Sequence, residues 1–284
     1  NESGQIWLAT GKGIAYVNHD TIYAFKTENE ELNNTPVIHI REGEKGSLWC
    51  ASMGKGVFEI KEDKSIIHYT SEESLLYTFH TFQYNESTVW FLTYMGIYQL
   101  KNGIISKAIM SCIRDDYGTY FHSCIRDSRN NIWIATLSGV IKIDENGKET
   151  LLTRENGLPG NDAWKFFEDR EHNIWIVFKS SGVTKLTNES FTLETKELTA
   201  IDVKSIYVDS AGDKWVATTK GVDYFSKGEV ENYSLGHETQ DKVRDIAKFN
   251  NKLFNDRFYE FLPQTVKIND CIQSISKFWA KKVL

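Results

Sequence analysis

The sequence predicts an all-β chain, a β-propeller of four-stranded antiparallel blades, and three observations carry that expectation. A tryptophan recurs at Trp7, Trp49, Trp90, Trp133, Trp175 and Trp215, at steps of 42, 41, 43, 42 and 40 residues. A glycine follows each by six or seven places, at Gly13, Gly56, Gly96, Gly139, Gly182 and Gly221. Around each pair the chain alternates apolar and polar residues in short runs rich in β-branched and aromatic types, with no helical pattern longer than about two turns. One sheet of this size cannot bury both faces alone. Copies must stack, and a period of about 40 to 45 residues with four strands is that of propeller blades. An open β-solenoid, the competing architecture, has shorter, parallel coils.

The unit from Val203 to Tyr233 shows how each strand is read. "VKSIYVD" alternates as an inner strand, "KWVAT" is a second, "GVDYFS" a third and "EVENYS" a fourth. Between the first two strands an aspartate opens a polar loop, as in Asp127-Ser-Arg-Asn-Asn, Asp169-Arg-Glu-His-Asn and Asp209-Ser-Ala-Gly-Asp, where its carboxylate favours a turn by accepting backbone N–H groups. The glycine after the second strand is expected to supply a positive φ or a close backbone approach. The tryptophan offers a large apolar face for the adjacent blade.

Counting blades needs both ends of the chain. The first unit begins at its second strand and lacks an inner one. After Trp215 a degenerate seventh unit reads "KVRDIAKFN", "KLF" with Phe254 in the tryptophan slot, and "RFYEF", and is shorter than the others by roughly ten residues. "CIQSISKFW" then resembles an inner strand placed to complete the first blade. The expectation is seven blades, closed into a ring by pairing of N- and C-terminal strands, in a single domain over residues 1–284. Asn1 falls in the slot that Asp127, Asp169 and Asp209 occupy later, so the chain reads as cut from a longer multidomain protein.

Composition narrows the function classes. Hydrophobic residues make up 40% of the 284, enough for a substantial core, and there are only three prolines and no low-complexity linker. The formal net charge of -6, with both signs interspersed, gives no basic footprint for nucleic acid or an anionic membrane. No apolar run is long enough to span a bilayer, and the N-terminus shows no signal-peptide pattern. Cys50, Cys112, Cys124 and Cys271 form no metal-binding or redox motif; they read as small buried hydrophobes, with a Cys112–Cys124 disulfide the alternative.

Motifs for known catalytic chemistry, nucleotide loops and calcium loops are absent, and no cofactor or metal is expected. His39, His80 and His122 fall in or near inner strands at similar depths and read as structural, with a shared axial metal as the competing use. Asp127, Asp169 and Asp209 repeat blade by blade and read as turn formers, not as the carboxylate pair of a glycosidase. The sequons at Asn85, Asn188 and Asn232 are matches of a kind common by chance.

Binding residues are expected where loops entering the inner strands meet the turns before the repeat glycines, since both lie at one end of the blades. That rim offers Asn161, Asp162 and Trp164, Tyr120 and His122, Asn33 and Asn34, Lys204 and Arg244. Trp164 is off the repeat slot. An indole beside Asn and Asp suits a sugar, although packing between blades is the plainer use of such a residue.

The repeat resembles that of the two-component regulator propeller family, approximately D-x-x-G-x-[IL]-W-[IV]-[GA]-T-x-x-G-[LIV]. It is carried by Asp127 to Val140, Asp209 to Val222 and Asn1 to Ile14, and the family's "GLP" element occurs as Gly157-Leu158-Pro159. The match spans residues 1 to about 235; Trp90 and Trp175 are followed by departures from it, and the second repeat carries an insertion in its first turn. The resemblance implies the extracytoplasmic, periplasmic sensor region of a hybrid histidine kinase. It would be non-enzymatic, bind an oligosaccharide or related small molecule, and pack against neighbouring propeller or signalling domains or a second copy. A propeller lyase or glycosidase using Tyr120, His122 and Arg244, and a purely structural propeller, are the alternatives.

Overall fold

The computed structural model describes residues 6–18, 21–70, 73–108, 110–112, 120–187, 190–193, 198–208, 212–226, 229–233, 246–249, 252–255 and 265–267. Two compact units divide the chain, Asn1–Lys107 with Phe258–Leu284, and Ala108–Arg257.

In the first unit, β1 (Ile6–Ala9), β2 (Ile14–Asn18) and β3 (Thr21–Phe25) form a meander, and a single-turn helix α1 (Glu30–Asn33) leads to the second blade. That blade is β4 (Val37–Glu42), β5 (Leu48–Ser52), β6 (Val57–Ile60) and β7 (Ile66–Tyr69); the third is β8 (Thr78–Asn85), β9 (Thr88–Thr93), β10 (Gly96–Lys101) and β11 (Ile104–Ala108). The second unit holds β12 (Phe121–Arg126), β13 (Ile132–Thr136), β14 (Gly139–Ile143) and β15 (Glu149–Leu152), then β16 (Ala163–Glu168), β17 (Ile174–Phe178), β18 (Gly182–Thr187) and β19 (Ser190–Leu193). A further blade follows as β20 (Val203–Val208), β21 (Lys214–Thr218), β22 (Gly221–Ser226) and β23 (Glu229–Tyr233), and a two-stranded ribbon as β24 (Ile246–Phe249) and β25 (Lys252–Asn255). Finally β26 (Thr265–Lys267) returns to the first blade.

The blades therefore number six, not the expected seven: six four-stranded antiparallel sheets are formed among the described residues, and the seventh unit yields only the β24–β25 ribbon. Its first strand, β24, lies beside β20 and β21, and β25 pairs with it. The positions six and seven places after Phe254 are Glu260 and Phe261, so this unit lacks the glycine on which the other units turn from second to third strand. "RFYEF" and "CIQSISKFW" lie outside the described residues. A segment near the C-terminus does join the first blade: β26 adds antiparallel to β3, with Val266 opposite Ile22, at the blade's outer edge. The unpaired backbone groups of an edge strand template such an addition.

Within each unit, tryptophans bind a blade to its neighbour. Trp49 shares a core cluster with Val89 and Phe91 of the following blade, Trp133 with Ile174 and Ile176, and Trp175 with Val203, Ile206 and Val216. The aspartates do more than turn the chain. Asp127 Oδ1 accepts the backbone N–H groups of Arg129 and Asn131, while Oδ2 accepts the indole N–H of Trp133 at 2.8 Å. Asp169 does the same for Trp175, also at 2.8 Å. One carboxylate six residues before the tryptophan thus fixes the turn and satisfies the buried donor. Asp209 lies outside the described residues.

At the other end of the blade, Thr136 donates to the carbonyl of Gly139 and accepts from Ser138 N–H, closing the turn into the third strand. Gly139 has φ +136°, and a Cβ there would stand 2.3 Å from the Leu152 carbonyl oxygen. Thr93 and Thr218 make the same bond to Gly96 and Gly221. Cys50, Cys112 and Cys124 are all free, Cys50 and Cys124 within the core, and Cys271 lies outside the described residues.

Candidate functional site

Among the described residues, the inner strands of five blades open on a β-bulge. The register of pairing with the second strand shifts across Ile38, Phe79, His122, Trp164 and Lys204, one residue in each of five blades. A bulge re-aims the side chain it carries, which is why such irregularities gather at functional rims. His122, Trp164 and Lys204, chosen from the sequence as rim candidates, are the bulge residues of three successive blades. His39 and His80 sit one place further into their strands, so the three histidines are not equivalent; the two rings meet at a tilt of 33°, centroids 3.9 Å apart.

Around two of these bulges the second unit assembles an aromatic row. Tyr120 lies nearly parallel to His122, centroids 6.3 Å apart at 8°, and His122 meets Trp164 at 4.4 Å. Tyr120 is exposed at 39%, whereas His122 and Trp164 are half-buried. Trp164 also packs on the cluster of Trp175, Val177, Val203 and Ile206, so one residue both joins blades and continues the row. The inner strands are stitched here as well: Ser123 Oγ donates to the carbonyl of Trp164 at 3.0 Å.

Polar groups border the row. The Lys179 ammonium stands 5.9 Å from the Trp164 ring centroid, a cation–π contact, and its backbone N–H donates to the Asp162 carbonyl. Ser180 Oγ donates to Asp162 Oδ2 at 2.6 Å. The β17–β18 turn is thereby tied to the loop entering β16. Burial, with the nearby Lys179 charge adding to it, pushes the His122 imidazole down to about 4, so the ring is neutral at ordinary pH.

The remaining candidates separate from this group. Asn161 is exposed and spends its Oδ1 on the Arg154 N–H. Lys204 forms an ion pair with Asp202. Asn33 and Asn34 belong to the other unit and hold the α1 turn, Asn33 through three bonds with Thr27 and Asn34 through one to the Glu30 carbonyl. Arg244 lies outside the described residues. Lys179 and Ser180 were missed as individual residues, although they occupy the turn before Gly182, the type of turn the pattern assigns to the rim.

Among the described residues no group of three or more His, Cys, Asp or Glu is placed to hold a metal ion, and no helix is long and apolar enough to cross a membrane. Two concavities, of about 240 and 530 Å3, include none of the rim residues. The smaller lies by the Asp169 turn, between Phe167 and Tyr207.

No protein-family model matches the sequence, and no curated protein matches it. Solved structures do. A catalytically inactive virginiamycin B lyase from Staphylococcus aureus, solved with quinupristin, superposes with a TM-score of 0.70 at 15% identity, covering 90% of each chain. The extracellular domain of a putative hybrid two-component system from B. thetaiotaomicron gives 0.66 at 18% identity over 88% of this chain and 42% of that one. That of a putative one-component system from the same organism gives 0.69 at 15% identity, over 93% and 40%. At these identities the likeness is one of fold. The chain is a β-propeller of the kind found in two-component sensor domains, as the repeat resemblance implied, and its neighbours include lyases built on the same fold.

Proposed function

We propose that this propeller is the ligand-sensing module of an extracytoplasmic bacterial signalling protein and that it binds an oligosaccharide along Tyr120, His122 and Trp164. The observation that carries the reading is the aromatic row itself, with Asp162, Ser180 and Lys179 as polar neighbours. Aromatic faces cover the apolar face of a sugar ring, and hydroxyls find donors and acceptors beside them. Signalling then requires that the ligand bind two arrangements unequally, so neighbouring domains of the same protein or a second copy supply the second half of the mechanism.

A lyase is the second reading, favoured by the fold shared with virginiamycin B lyase. It draws less support from the site. A general base works best with a pKa near the working pH, and His122 at about 4 is a weak one.

Thermal unfolding against a panel of purified oligosaccharides tests the first reading. A binder present at ~100 times its Kd stabilises by about 2.7 kcal/mol, a shift of roughly 5–10 °C for a chain of this size. The shift is expected to vanish in Trp164→Ala and to shrink in Tyr120→Ala, whose ring is already exposed. No shift with any glycan refutes carbohydrate sensing by this chain, and mass-spectrometric cleavage of quinupristin by the wild type, lost in His122→Ala, favours the lyase.

A further inference from the structure

In the unit formed by residues 1–107 and 258–284, a groove of about 530 Å3 runs between the blades β4–β7 and β8–β11. Trp49 lines it. In the blades of Trp133 and Trp175 the indole N–H is held by the aspartate six residues earlier. In this blade that slot is Gly43, and a Cβ there would lie 2.5 Å from Trp49 Nε1, so no side chain fits between backbone and indole. The inserted turn Glu44–Gly46 lifts the following carboxylate onto the groove wall. Trp49 is 4% exposed, and among the described residues its Nε1–H makes no hydrogen bond. Trp90 also lacks an acceptor, but its ring is capped by Tyr84 at 4.0 Å, whereas Trp49 opens on a cavity.

The wall has a sign. Glu44, Glu59, Glu62, Asp63 and Glu86 face the groove against only two lysines, with Arg41 behind Glu44 offsetting one charge more. Ser47, Ser87 and Asn102 add neutral donors and acceptors. A volume of this order holds a small organic molecule. We infer that this groove is a second binding site, taking a hydroxylated amine of amino-sugar size. Its ammonium meets the carboxylates, and a hydroxyl oxygen accepts the Trp49 indole N–H. The donor opens on the groove, where a ligand hydroxyl can take the place of water as its acceptor.

Calorimetry with glucosamine, at pH about 6 where the amine is charged, tests this against N-acetylglucosamine, which keeps the ring and loses the charge. Glucosamine is expected to bind at least about fivefold tighter, with affinity falling as salt is raised. Trp49→Phe, which retains the ring contacts with Tyr69 and Phe91 and removes the donor, is expected to weaken it roughly tenfold. The exposed pair Glu62→Gln with Asp63→Asn is expected to weaken it about threefold to tenfold and decides the question alone if Trp49→Phe does not fold. Trp164→Ala, which removes the rim site, is expected to leave glucosamine affinity unchanged. Equal affinity for the two sugars, no binding of glucosamine, or full affinity in the folded variants overturns the assignment.

Discussion

Asp127→Ala is the substitution whose cost the structure defines most closely. The carboxylate is 6% exposed and accepts four hydrogen bonds: from Arg129 N–H at 2.9 Å, and from Asn131 N–H, Asn131 Nδ2 and Trp133 Nε1 at 2.8 Å each. Arg129 and Asn131 lie on a surface turn where water can replace the acceptor, so their share is about 1 kcal/mol. Trp133 is 2% exposed and water cannot reach its indole, so an unsatisfied donor there costs a further ~1–3 kcal/mol. The sum is about 2–4 kcal/mol, read from urea unfolding midpoints followed by tryptophan fluorescence. Asp144→Ala is the control: its carboxylate accepts from Asn146 and Lys148 N–H in an exposed turn and ties no indole, so about 0.5–1 kcal/mol is expected. The double-mutant cycle with Trp133→Phe isolates the indole share, with a coupling of ~1–3 kcal/mol expected. Equal costs for Asp127→Ala and Asp144→Ala, or an additive cycle, would refute the claim that this carboxylate serves the tryptophan as well as the turn.

Other expectations follow from the same geometry. At Asp169 burial tends to raise the carboxyl, but hydrogen bonds from Trp175 and Asn173 and the Lys185 charge outweigh it and lower the pKa. With the folded value below the unfolded one, its contribution is present above the unfolded pKa of about 4 and lost as pH falls through the folded value, so acid unfolding of Asp169→Asn is expected to show a shallower slope below pH ~4. His122, at about 4, is depressed relative to the unfolded imidazole, so the unfolded chain takes up the proton first. Stability is therefore expected to decline from pH ~6.5 downward, an effect that His122→Phe removes, and NMR titration of the ring at its ordinary value would contradict the burial argument. Gly139→Ala, with φ +136° and a Cβ 2.3 Å from a carbonyl oxygen, is expected to cost more than ~3 kcal/mol, while Gly103→Ala, at φ +76° in open space, costs about 1 kcal/mol in the same thermal assay. Burial pushes the Cys50 thiol up to about 12 and raises the Cys124 thiol well above its ordinary value, so both are expected to resist alkylation until the chain unfolds.

The tryptophan period and the glycine behind it were enough to read the unit Val203 to Tyr233 as four strands, β20 to β23, because each repeat must solve the same local problem: turn, bury an indole, turn again. The same signals singled out Tyr120, His122 and Trp164, whose rings the structure brings into one row. The function of the aspartate was half legible; its turn propensity is a local matter, whereas its bond to an indole six residues on forms only when the second strand folds back beside it. The blade count was not legible, since a degenerate unit such as Lys242 to Phe261 carries strand patterns without the glycine that folds them into a full sheet, and whether a strand finds partners is decided by neighbours distant in sequence. The contact of His122 with Trp164 and the groove beside Trp49 depend on packing between blades some 40 residues apart, and the inner-strand bulges and the approach of Lys179 to Trp164 on how strands and turns meet within one blade; in both cases a sequence pattern specifies that strands pack but not how their side chains are aimed.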